Sequence, residues 1–262
     1  MKCESRKFQA EQLEERVLLA VNVALGLLAG PGPNLAVSLT GDADANSVAV
    51  STDGVGAGAE LTIEGLNGTA LTPGAINIPL PILAGLIVDT DFDGTSASFV
   101  TFNNVVVDAL AGNLGINTTT TVDLGDGADW VAASNTEFGG NVTINTGAGN
   151  DAVILTGNQF DGDVTIDTGD GKDLLHATFN VFGDNLGPFE VIDVNMGAGN
   201  DLLEYGGNIF QNTASPVVID GGDGHDRQDW IHGTPDDQYL NTVPYLPNWE
   251  VFDHADDSPT GA

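Results

Sequence analysis

Between residues 117 and 231, short stretches of alternating apolar and polar positions recur at a nearly fixed distance. Val142-Thr143-Ile144 and Val164-Thr165-Ile166 set β-branched apolar side chains on one side of a strand and threonine on the other. Each stretch runs into the phrase Gly-x-Gly-x-Asp, whose glycines supply turn geometry and permit close backbone approach. The phrase occurs five times, ending at Asp129, Asp151, Asp173, Asp201 and Asp226, and its leading glycines are spaced by 22, 22, 28 and 25 residues. Two residues beyond the first four of these Asp positions a second apolar run opens, at Val131, Val153, Leu175 and Leu203.

A further register accompanies the phrase. Nine residues after the Asp come Phe138, Phe160, Phe182 and Phe210, and Asn158, Asn180 and Asn208 precede the last three by two positions. Self-similarity at this period, with strand alternation and no helical spacing, predicts stacked coils. The expected fold is all-β: a right-handed parallel β-helix with coils of about 22–28 residues, the hand following the preference of parallel crossovers. Equivalent side chains then form ladders, with Phe on Phe inside, Asn on Asn at an inner turn, and Asp on Asp outside.

The flanking segments divide the chain. Residues 1–30 form a charged stretch followed by a run of mostly apolar residues, too short for a membrane span of ~20 residues. They read as an export leader or an N-terminal capping helix. Residues 31–116 read as irregular early coils, with a proline-interrupted excursion over 71–88. Residues 117–231 are the regular repeats. Residues 232–262, bearing Pro244, Pro247, Trp249 and Phe252, read as a C-terminal cap and tail.

Charge narrows the function. Six basic residues stand against 38 acidic ones, a formal net charge of −32, and the chain beyond residue 16 carries only Lys172 and Arg227 as bases. Such a surface repels nucleic acid and anionic membranes, and attracts cations. The single cysteine, Cys3, forms no intramolecular disulfide.

Two resemblances follow. Residues 8–20, FQAEQLEERVLLA, resemble the F-x-x-LE-x-R-x-LL leader of planctomycete secreted and surface proteins, which implies export. Gly-x-Gly-x-Asp resembles the nonapeptide of RTX-type β-rolls, in which turn carbonyls and the motif Asp of neighbouring coils hold Ca²⁺. By position, that implies Asp129, Asp151, Asp173, Asp201 and Asp226 as ligands, with Asp126, Asp170 and Asp223 one turn position earlier. The pattern departs from RTX in occurring once per coil, and only residues 221–226 carry the double glycine. The competing assignment is structural, with each Asp accepting backbone N–H bonds.

A second candidate for calcium is Asp89-Thr90-Asp91-Phe92-Asp93-Gly94, the first half of an EF-hand-type loop, with Val100 where the bidentate Glu belongs. Catalysis finds little support. Polyuronate lyases need a basic residue as proton acceptor and bases to pair an acidic substrate, and the repeat register explains the abundant Asp without singling out a catalytic pair. The four histidines show no zinc spacing. The expectation is a non-catalytic exported structural or adhesive protein of the cell surface or extracellular matrix, with polysaccharide or other surface proteins as partners. The alternatives are a calcium-binding RTX-like module and a carbohydrate-active β-helix enzyme.

Overall fold

The computed structural model describes residues 20–28, 34–42, 45–53, 60–72, 74, 76–79, 86–92, 96–107, 119–183, 190–211, 217–230, 238–239, 247 and 251–253. It is all-β among these residues, a parallel β-helix as the repeat predicts.

Four sheets run along the solenoid. Sheet A stacks β2 (Asn34–Thr40), β7 (Leu86–Phe92), β10 (Thr120–Leu124), β13 (Val142–Asn145), β17 (Val164–Asp167), β21 (Ile192–Asn195) and β25 (Val218–Asp220), every neighbouring pair parallel. Sheet B stacks β3 (Ser47–Thr52), β8 (Phe99–Asn103), β11 (Trp130–Ser134), β15 (Ala152–Thr156), β19 (Leu174–Thr178), β23 (Leu202–Gly206), β27 (Arg227–Trp230) and β29 (Val251–Asp253). Sheet C is made of two-residue strands: β9 (Val106–Val107), β12 (Glu137–Phe138), β16 (Gln159–Phe160), β20 (Val181–Phe182), β24 (Ile209–Phe210) and β28 (Gln238–Tyr239). Sheet D is the glycine phrase itself: β14 (Ala148–Gly149), β18 (Asp170–Gly171), β22 (Ala198–Gly199) and β26 (Asp223–Gly224).

The longer repeat steps leave the register intact. Ile166 pairs with Val194 as Ile144 pairs with Ile166, although 28 rather than 22 residues separate the former pair. The additional residues fall between β20 and β21, so the strands on either side keep their places in the sheets.

The core follows the ladders. Phe138, Phe160, Phe182 and Phe210 stack with ring centroids 5.0 Å apart and planes within 6–9° of parallel, and Phe102 meets Phe138 edge-on at 5.8 Å. Such ring contacts contribute about 0.5–1.5 kcal/mol each beyond area burial. Asn158, Asn180 and Asn208 are buried beside them. The Asn180 side-chain oxygen accepts from both the backbone N–H and the amide of Asn158 at 3.0 Å, and Asn208 serves Asn180 in the same way. The amide of Asn180 also donates to Leu155 O (2.9 Å), so stacking satisfies these side chains.

Two expectations change. Part of the segment read as a leader or capping helix is a strand, β1 (Ala20–Leu28), antiparallel to β2 and parallel to β5 (Ala70–Thr72). Val21 and Val23 are buried while Asn22 and Ala24 are exposed, a two-residue period that excludes a helix face. The excursion after β3 is also antiparallel: β4 (Glu60–Gly65) pairs with β3, and β6 (Ile76–Pro79) with β4. These strands cover the N-terminal strand edges of sheets A and B, the positions that would otherwise template pairing with another chain.

At the other end, the apolar pair Trp230-Ile231 comes three residues later after its motif Asp than in the other repeats. Nevertheless β27 keeps register, with Gln228 opposite Leu203 in the inward row. Gln228 is buried and its amide donates to the Tyr205 hydroxyl. Of the segment read as a cap, β28 and β29 continue sheets C and B, and Pro247 O accepts the Gly221 N–H at 3.1 Å; the rest lies outside the described residues.

Candidate functional site

The glycine phrase forms a corner between sheets A and B, and its shape follows from coil-to-coil distance. A Cβ on Gly171 would lie 1.4 Å from Gly149 O, so no side chain fits there at this spacing. Gly147 and Gly169 adopt φ of +87° and +83°.

This packing turns the motif Asp inward, opposite to the outward ladder expected. Asp129, Asp151, Asp173, Asp201 and Asp226 are 0–3 % exposed. One oxygen of each carboxylate accepts a backbone N–H from the coil before it. Asp151 Oδ1 receives the Asp129 N–H at 2.7 Å, Asp173 that of Asp151 at 2.9 Å, Asp201 that of Asp173 at 2.8 Å, and Asp226 that of Asp201 at 2.9 Å. Asp129 takes the N–H of Ser98 at 2.6 Å. The corner is thus an Asx-type bond made between coils instead of within one turn.

The second oxygen differs. Oδ2 of Asp129, Asp151, Asp173 and Asp201 is buried without a hydrogen-bond partner. Burial without compensation favours the neutral acid. Burial pushes Asp173 up to about 7, opposed by the Asp151 N–H and the Thr168 hydroxyl and reinforced by the charges of Asp151 and Asp201. Burial likewise raises Asp129 to about 6, against the Ser98 N–H and with the Asp151 charge. Asp201 rises to about 6 and Asp151 in the same direction, burial again leading. The Thr168 hydroxyl gives its own proton to Met196 O (2.9 Å), and that of Thr146 to Thr168 O (3.1 Å), which limits their help to the carboxylates.

The other sequence-predicted ligands lie elsewhere. Asp126, Asp170 and Asp223 are exposed on the outside of the corner. In sheet D, Ala148, Asp170, Ala198 and Asp223 stand in one row, so a carboxylate appears only at alternate coils. Asp89 and Asp91 belong to β7 and pair with Thr121 and Asp123 of β10. An extended strand is not the wrapped backbone of an EF-hand loop; Asp93 lies outside the described residues. Among the described residues, no three carboxylate, imidazole or thiol groups converge on one point.

One cluster escaped sequence reasoning. His176 Nδ1 meets Glu204 Oε2 at 3.0 Å across neighbouring strands, and His176 Nε2 lies 3.4 Å from Thr178 Oγ1. Both His176 and Glu204 stand three residues after their motif Asp, so aligning the repeats by offset would have paired them. The order hydroxyl, imidazole, carboxylate is that of a nucleophile with its base. Yet Thr178 is 4 % exposed, and the adjacent Phe179 N–H is committed to Gly206 O, so the surroundings give neither an open nucleophile nor a donor for an oxyanion.

No protein-family model matches the chain, and neither a curated protein nor a solved structure is significantly similar to it.

Proposed function

We propose that the chain is a non-catalytic, exported structural or adhesive β-helix protein of the cell surface or extracellular matrix. The observation that supports this reading is the use of the repeated polar residues. The motif Asp, the Asn row and the buried Thr all bond one coil to the next, leaving the repeat devoted to cohesion of the rod. Export is carried by the leader resemblance. Since β1 contributes Val21 and Val23 to the core, leader cleavage belongs N-terminal to Ala20.

Mapping the mature N-terminus of secreted material tests export; an intact Met1 confined to the cytosol would sink it. Incubation with a panel of polysaccharides tests the non-catalytic reading, which depolymerisation of any member would overturn. Binding without cleavage would identify the adhesive partner.

Calcium stabilisation is the second reading. The column of unpartnered carboxylate oxygens on Asp129, Asp151, Asp173 and Asp201 favours it, because a hard cation takes such oxygens. An ion that binds the native state but not the unfolded chain stabilises it by RT ln(1 + [L]/Kd), so the melting temperature rises with ion concentration. Thermal melts in EDTA and in millimolar Ca²⁺ decide this, and superimposable curves exclude it.

A further inference from the structure

The lumen of the solenoid is not filled evenly, and one inward row shows where. Ala133, Leu155, Ala177 and Tyr205 occupy the same place in successive strands of sheet B. Ala133 and Leu155 are buried, whereas Ala177, smaller than the leucine before it, keeps accessible surface although its row faces inward. Ala177 lines a cavity that gives the centre of a water molecule about 40 Å³, and Tyr205 and Ile219, also half-buried, line it too. Its walls draw on β15, β19, β23 and β27, from Leu155 at one end to Gln228 at the other.

Most of the wall is aliphatic, and the polar side chains in it are unequal. Asn208 is committed: its oxygen accepts from the backbone N–H and the amide of Asn180, and its own amide donates to Ala177 O at 2.9 Å. Gln228, 4 % exposed, gives its amide to the Tyr205 hydroxyl, but its Oε1 is buried without a partner. A buried acceptor left in that state costs free energy until a donor reaches it.

We propose that this part of the lumen binds a neutral, unbranched aliphatic alcohol, with its chain along the rod and its hydroxyl donating to Gln228 Oε1. Shape selects the chain. Four stacked strands span roughly 14 Å. Spread over that length, the cavity of about 40 Å³ leaves a bore ~5 Å across for a molecule of water's radius. That width takes one file of methylene groups, whose contact diameter is ~4 Å, and no ring. Chemistry selects the head group. A water needs two to four polar partners and a hard cation about six oxygens, while Gln228 offers one acceptor in an apolar wall. A carboxylate has no proton to donate and would carry a charge into that wall.

Octanol is the probe. Calorimetric titration of the wild-type protein should show saturable binding at one site, and the melting temperature should rise with octanol concentration. Cyclooctanol, with as many carbons in a ring, should bind at least about tenfold more weakly. Ala177→Leu should abolish octanol binding while raising the melting temperature, since it fills the space that Leu155 fills in the coil before. Gln228→Met keeps the volume, removes the acceptor and should weaken octanol by up to about tenfold. Should Ala177→Leu fail to fold, isotope-filtered NOEs on the wild type still decide, because octanol methylenes should contact the methyls of Leu175 and Leu203. Four results would each overturn the proposal: no saturable binding up to the solubility limit of octanol, equal binding of cyclooctanol, undiminished binding by folded Ala177→Leu, or NOEs confined to residues outside the lumen.

Discussion

Two rows of acidic side chains climb the same solenoid at the same pitch, and they handle like charge in opposite ways. From β10 to β25 the outer row at the end of sheet A alternates, Asp123, Asn145, Asp167, Asn195, Asp220, while in the irregular coil before it Asp91 stands directly beside Asp123. Asn145 donates its amide to Asp123 at 2.9 Å, and Asn195 to Asp167 at 3.3 Å, so each amide separates two carboxylates and bonds to one. The inner row does not alternate; it has Asp in all five repeats. Water screens the exposed row, and charges two coils apart interact weakly there. The buried row lacks that screening, and burial raises Asp129, Asp151, Asp173 and Asp201 instead, so below about pH 6 protons do what the intervening Asn does outside. Where solvent is present the sequence spaces charges; where it is absent the fold suppresses them.

The largest test of this contrast is pH. Asp129 and Asp201 stand near 6 and Asp173 near 7, above the 3.8 of the unfolded chain, so the native state binds more protons between these values. The stability they contribute is full below about pH 4 and is lost as pH rises through 6–7, on the order of 4 kcal/mol at Asp173 alone. Melting temperatures should therefore fall from pH 5 to pH 8. A flat or rising profile would show that the inner row is ionised throughout, and flattening by millimolar Ca²⁺ alone would give the cation the role assigned to the proton.

Next in size are substitutions at Asp173. Asp173→Ala removes the acceptor of the buried Asp151 N–H, at a cost of about 1–3 kcal/mol in chemical denaturation at pH 5. Asp173→Asn keeps an acceptor and carries no charge, so it should cost less and reduce the pH slope. Equal losses from the two variants would mean that packing, and not the hydrogen bond, is what the row supplies.

On the outer row the effects shrink. Asn145→Asp would set four carboxylates in succession, from Asp91 to Asp167, and remove the amide bond to Asp123, for a loss of about 0.5–1 kcal/mol that high salt recovers. Asp123→Asn keeps a polar group in the same place and should change stability by less than about 0.5 kcal/mol. Urea titrations at low and high salt measure both, and an outer-row effect as large as that at Asp173 would erase the distinction.

Much of the solenoid is legible before any coordinates. The Phe and Asn registers, the β-branched runs and the glycine spacing each require equivalent positions to stack, and they do. Less was legible at the ends, though not for lack of signal. Val21, Val23, Leu25 and Leu27 alternate with Asn22, Ala24 and Gly26, a strand pattern that a reading by overall hydrophobicity treats as a leader core. At the candidate site, the spacing identified which Asp are equivalent but carried no information on which side of the turn they face.

The sequence by itself determined the ladders, because a side chain repeated at one coil length must meet its own copy when coils stack. Only the tertiary structure decided what the Gly-x-Gly-x-Asp carboxylates do. Their direction depends on an N–H group offered by the neighbouring coil at 2.7–2.9 Å, and their protonation on the burial that the same neighbour imposes. Neither property belongs to a single repeat. The His176–Glu204 pair arises in the same way, from residues far apart in the chain that share one position in successive coils.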